Sequence, residues 1–119
     1  MTQYHTSEEL LFYADLFDYS EEKILFLNWF GRQTGRTSAV NGEASKDDLI
    51  MVESRNRFQK TQTLGNVIYK YSTLYNMYKG KRFDRCYVDC EYVSKKELET
   101  LFCCFKINKI IVLGRYREY

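Results

Sequence analysis

The sequence predicts a single α/β domain built on a mainly parallel sheet of four to five strands with helices on both sides, and three observations point there. Short runs at 24–29 (ILFLNW), 49–52, 67–71, 85–89 and 109–113 read as strands, the first nearly continuously apolar, as a strand covered on both faces would be, and the second of buried type. Helical or helix-compatible stretches separate them, the alternation expected of βαβ units. The length of 119 residues allows one core and little beyond it.

Taken in order, residues 6–17 open with Thr6 and Glu9 in a capping-box pattern. Leu10, Leu11, Ala14 and Phe17 then recur at helical spacing, so residues 1–22 read as an N-terminal helical segment ahead of a minimal domain at 23–119. A polar break at 19–23 precedes the first strand, which runs into GRQTGRT at 31–37 and a short helix at 38–44. The second strand, 49–52, is followed by a polar, helix-compatible stretch at 55–63 and a weaker third strand at 67–71. Gly80 and Lys81 mark a turn before the strand 85–89 (RCYVD), which ends in an acid. Ser94 and Glu97 form a second capping box, opening a helix with Leu98, Leu101, Phe102 and Phe105 on one side. The last strand, 109–113 (KIIVL), is closed by Gly114 and Arg115.

Composition narrows the function classes. Apolar content of 45% and charged content of 29% suit a globular chain and exclude wholesale disorder. A net charge of +2 is too balanced to argue for nucleic acid by itself. Cys86, Cys90, Cys103 and Cys104 match neither paired zinc-ligand spacing nor a disulfide framework, so buried, reduced thiols are expected. Reduced thiols, the lack of a basic-then-apolar leader and the lack of an apolar run near the ~20 residues that span a bilayer give the expectation of a soluble, cytoplasmic protein without a membrane partner. His5 has no cysteine or serine motif beside it and receives no role.

The chemistry-bearing feature is the order strand, glycine-containing loop, helix. Loop amides turned inward and the positive end of the helix dipole together make a phosphate cradle. Against the pattern G-x-x-x-x-G-K-[ST], Gly35, Arg36 and Thr37 fill the last three places, with Arg36 where lysine is usual; the first glycine falls on Phe30, with Gly31 next to it. About fifty residues later the strand ending in Asp89 supplies a carboxylate suited to Mg²⁺, with Glu91 close behind. A glycine-bearing turn with surface arginines, and a strand that merely ends in acids, are the structural alternatives.

FGRQTGRT, followed by LIMVESRN, GKRFDRCYVDCE and KIIVLGR, resembles the ATPase core of phage terminase large subunits and of superfamily 1 and 2 helicases. The resemblance spans residues 23 to 115 and implies a small three-layer P-loop NTPase-like sandwich. It implies that Gly31, Arg32, Gln33, Thr34, Gly35, Arg36 and Thr37 wrap the phosphates of ATP or GTP. It further implies that Thr37 and Asp89 hold Mg²⁺, that Glu91 stands for the catalytic glutamate, and that Gly114 and Arg115 report on the γ-phosphate. The departures are specific: Cys90 separates the acidic pair, Arg36 replaces a lysine with a bulkier planar fork, and 119 residues leave no room for a second motor domain.

The expectation is therefore a nucleotide-binding protein of viral or phage type, a possible hydrolase with weak or partner-dependent turnover. A non-catalytic interaction module is the alternative, with a protein partner or a second copy on the tyrosine-rich stretch Tyr69, Tyr71, Tyr75 and Tyr78. That stretch is also readable as a stacking surface or as cover for the sheet. A nucleic-acid-binding accessory factor, using Arg32, Arg36, Arg55, Arg57, Lys60 and Arg115 as a basic rim, is a third.

Overall fold

The computed structural model describes residues 7–27, 36–52, 64–69, 78 and 80–118. The order of elements is α1 (Ser7–Asp18), β1 (Ile24–Phe26), α2 (Arg36–Glu43), β2 (Leu49–Val52), β3 (Asn66–Tyr69), β4 (Arg82–Asp89), β5 (Tyr92–Ser94), α3 (Lys95–Cys104), β6 (Lys106–Val112) and β7 (Arg115–Arg117). Five strands form one sheet in the order β1-β6-β4-β2-β3, and every neighbouring pair is parallel. β5 and β7 make a second, two-stranded parallel sheet.

A parallel sheet needs cover on both faces, and the strand residues divide accordingly. Leu10, Ala14 and Phe17 of α1 and Ala39 and Val40 of α2 share one core with Ile50, Val52, Val67, Tyr87 and Ile111. Leu98 and Leu101 of α3 share the other with Leu49, Met51, Ile68, Cys86, Val88, Ile110 and Val112. All four residues of β2 are buried, as its unbroken LIMV run predicts. The helix α3 begins where the sequence places it: the Ser94 hydroxyl accepts from the Glu97 N–H at 3.2 Å, and the Glu97 carboxylate accepts from the Ser94 N–H at 3.1 Å.

Several boundaries differ from expectation. β4 reaches back to Arg82 and β6 to Lys106, three residues earlier than their apolar runs begin. These added residues alternate between exposed and buried, because at this end each strand is covered on only one side. α2 starts at Arg36, two residues early, and β5 and β7 were unforeseen. Cys86 and Cys90 are buried as expected, but Cys103 is exposed and Cys104 half-buried. Tyr78 covers the second core, edge-on to Phe83 at 6.0 Å; the stretches 55–63 and 71–77, and Thr6 of the first capping box, lie outside the described residues.

Gly114 joins the two sheets by backbone contact. A β-carbon there would lie 1.7 Å from the carbonyl oxygen of Cys90, so no side chain fits between the segments that leave β4 and β6. Ladder-like bonds fix this approach on either side: the Leu113 N–H donates to Val88 O at 3.1 Å and the Arg115 N–H to Glu91 O at 3.0 Å. Gly114→Ala should lower the unfolding free energy by more than about 2 kcal/mol and the melting temperature by about 8 °C or more. Urea and thermal unfolding check this; a loss within about 0.5 kcal/mol would mean the two segments separate easily.

Candidate functional site

Parallel pairing decides where the sequence-predicted residues gather. β1 and β4 both run parallel to β6, so their C-terminal ends share one edge of the sheet. The register is level: Phe26 faces Val112, and Val112 faces Val88. The chain therefore leaves β1 at Leu27 on a level with Asp89, two strand spacings or about 10 Å away.

α2 lies on the connection that leaves β1 at this carboxyl edge and enters β2 at the amino edge, so the helix begins toward the carboxyl edge. Its last residue, Glu43, lies 3.9 Å from the guanidinium of Arg85, midway along β4. The face is also the same. Cys86, Val88 and Cys90 join the second core while Tyr87 joins the first, which puts Asp89 on the side that α2 covers.

Asp89 is buried, at 6% exposure, and Glu91 half-buried just beyond it. Cys90 turns away: its thiol donates to the Met51 carbonyl at 3.6 Å inside the second core. Arg115 is exposed at the same edge and stays near Tyr92, its Nη1 donating to the phenol oxygen at 3.4 Å. Asp89, Glu91 and Arg115 lie at one edge, toward which the backbone of Arg36 and Thr37 begins α2, while Gly31, Arg32, Gln33, Thr34 and Gly35 lie outside the described residues. So do Arg55, Arg57 and Lys60 of the basic rim, Tyr71 and Tyr75 of the tyrosine stretch, and the side chains of Arg36, Thr37 and Tyr69.

Sequence reasoning missed a charged cluster at the opposite edge. A cleft of about 380 Å³ is lined by Asp18, Glu43, Asp48, Asp84, Arg85 and Lys109, among others. Arg85 binds both oxygens of Asp18, reaches Asp15 at 3.1 Å and donates to the Tyr87 phenol at 3.4 Å. Lys109 donates to the carbonyls of Ser20 and Glu22 just past α1 and lies over the Phe17 ring at 4.5 Å. These cations hold α1 to the sheet. Open parallel sheets bind ligands beyond their strands' carboxyl ends, and this cleft is at the amino ends. Arg85 and Lys109 there join α1 to the sheet.

Among the described residues, no three carboxylate, thiol or imidazole groups are placed to hold a metal ion together. No described helix is long and apolar enough to cross a membrane.

Burial pushes the Asp48 carboxyl above its usual range, against the opposing hydrogen bond from the Ser45 N–H at 2.9 Å and the charge of Arg85. Burial raises Glu43 similarly, opposed chiefly by Arg85. A carboxyl with a raised folded-state pKa binds its proton more tightly when folded. Its ionisation costs stability above that pKa, and the cost fades as pH falls through it. Asp48→Asn keeps an acceptor for Ser45 and removes the charge. Relative to wild type, the variant should be more stable at about pH 7 than at about pH 4. Urea midpoints at the two pH values check this, and an equal difference at both would refute it. Comparison with family models, curated proteins and solved structures yields no match to this chain.

Proposed function

We propose that the chain is a nucleotide-binding protein with a degenerate P-loop, taking ATP or GTP with Mg²⁺ at the C-terminal edge of its sheet. The observation that supports the reading is that α2 lies on the connection leaving the carboxyl edge of the sheet, on the face to which Asp89 belongs. A second observation supports it. The first turn of α2 has no acidic residue and begins with Arg36, a cation set against the positive end of the helix dipole. A bound phosphate would turn this repulsion into a clamp.

In this reading the loop 31–35 and the first amides of α2 hold the phosphates, and Arg36 neutralises them. Thr37 and Asp89 would hold the metal. Both are hard oxygen donors, which suits Mg²⁺, and an ion that keeps several waters and shares the phosphates needs few protein ligands. When bound, the ion neutralises charge on the phosphate oxygens. The nearby Cys90 thiol, a soft donor, is turned into the core and takes no part. Glu91 would accept a proton from the attacking water. Its separation from Asp89 by Cys90 makes slow or partner-dependent turnover the expectation. That same separation favours the second reading, a P-loop-like scaffold retained as a non-catalytic interaction module.

Melting temperature measured against Mg·ATP, Mg·GTP and the diphosphates separates the two readings. A ligand at about 100 times its Kd adds about 2.7 kcal/mol of stability. Thr37→Ala and Asp89→Asn should abolish the Mg²⁺-dependent part of the shift, while Glu91→Gln should spare binding and remove turnover. No shift with any nucleotide at millimolar concentration would favour the interaction module. A shift indifferent to Thr37 and Asp89 would place the pocket elsewhere.

A further inference from the structure

Helix α1 buries one apolar face and exposes another. Leu10, Ala14 and Phe17 lie in the first core. On the far side Phe12, Leu16 and Tyr19 are 59%, 57% and 92% exposed, and Leu11 borders them. Phe12 and Leu16, at i and i+4, make one stripe with Glu8 and Asp15 along it, and Tyr19 follows in the turn that ends the helix. A helix apolar on both sides is normally covered on both, and a contiguous exposed apolar stripe marks a contact surface.

The surrounding charge indicates what covers it. Residues 1–22 carry six carboxylates, Glu8, Glu9, Asp15, Asp18, Glu21 and Glu22, and no lysine or arginine. Glu8, Asp15, Asp18, Glu21 and Glu22 are exposed. Arg85 draws Asp15 and Asp18 from the sheet side, yet the Asp15 side chain keeps 57% of its surface in solvent. A second copy laid helix against helix would set these acids against one another. An anionic membrane surface would be repelled in the same way.

We propose that the outer face of α1 is a docking surface for a basic amphipathic helix of a partner protein. The partner helix places apolar side chains against Phe12, Leu16 and Tyr19, with lysines or arginines opposite Glu8 and Asp15. This mode, a helix laid along an apolar track with charge setting its register, draws steering and specificity from the charges and anchoring from the aromatics. The surface is independent of the nucleotide reading, since it faces away from the sheet.

The test uses the full chain and a fluorescent model peptide of about 18 residues, amphipathic, with a leucine face and a lysine face. A matched peptide with glutamate in place of lysine is the control. Anisotropy should show the lysine peptide binding at least about tenfold more tightly than the glutamate peptide, and more weakly as salt rises. Phe12→Ser/Leu16→Ser leaves every charge in place and should weaken binding about tenfold or more. Glu8→Lys, a change at an exposed position, should weaken it without touching the apolar stripe. Equal binding of both peptides would overturn the proposal, as would undiminished binding by the double variant with an unchanged melting temperature. Light scattering that shows a dimer abolished by Phe12→Ser/Leu16→Ser would overturn it too, by making the occupant a second copy.

Discussion

Everything in this molecule is arranged by the requirement that five strands run the same way. A parallel neighbour can be reached only by a crossover, and each crossover carries the chain over a face before the next strand begins. The chain steps from β1 across to β2 and β3, then back through β4 to β6, so covering elements fall on both faces. It also follows that every segment leaving a strand does so at one edge. β4, paired with both β6 and β2, is the strand from which both edges are organised.

The two edges are built for different ends. At the amino ends Arg85 and Lys109 tie α1 to the sheet through side chains of Asp15 and Asp18 and carbonyls of Ser20 and Glu22. Such a partly buried cation is worth retaining only with all its partners, since leaving it unpaired would cost more than the pairs contribute. At the carboxyl ends rigidity comes from the backbone instead. Gly114 lies against Cys90, and the flanking N–H groups hold the turns after β4 and β6 in place. Asp89, at the end of β4, is therefore presented from a fixed support, which the proposed metal role would require.

What was legible in the sequence is what depends on neighbours in the chain. The capping box of Ser94 and Glu97 closes within three residues, and the apolar run of β2 reports burial directly. The strand ending in Asp89 was likewise readable, and the edge of the sheet at which it ends follows from strand order alone. The illegible features depend on residues far apart. Arg85 meets Asp18 across 67 positions, and the need for glycine at 114 arises only from the passing Cys90 carbonyl. β5 and β7 are three residues each and exist only as a pair. Cys103 carried a local signal that composition obscured: it stands off the Leu98–Leu101–Phe105 stripe, hence its exposure. The second apolar face of α1 was partly visible, since Leu11 was grouped with the buried stripe although its helical angle already leans outward.

The claim beneath this account is that phosphate and a divalent ion meet the protein at the carboxyl edge of the sheet. Mn²⁺ added with ATP to isotope-labelled protein tests it most directly, because the ion broadens the amide signals closest to it. The account predicts that broadening centres on the amides of Arg36, Thr37, Asp89 and Gly114 and spares Asp48 and Arg85. Broadening centred instead on Asp48, Glu43 and Arg85, or none that depends on nucleotide, would contradict it.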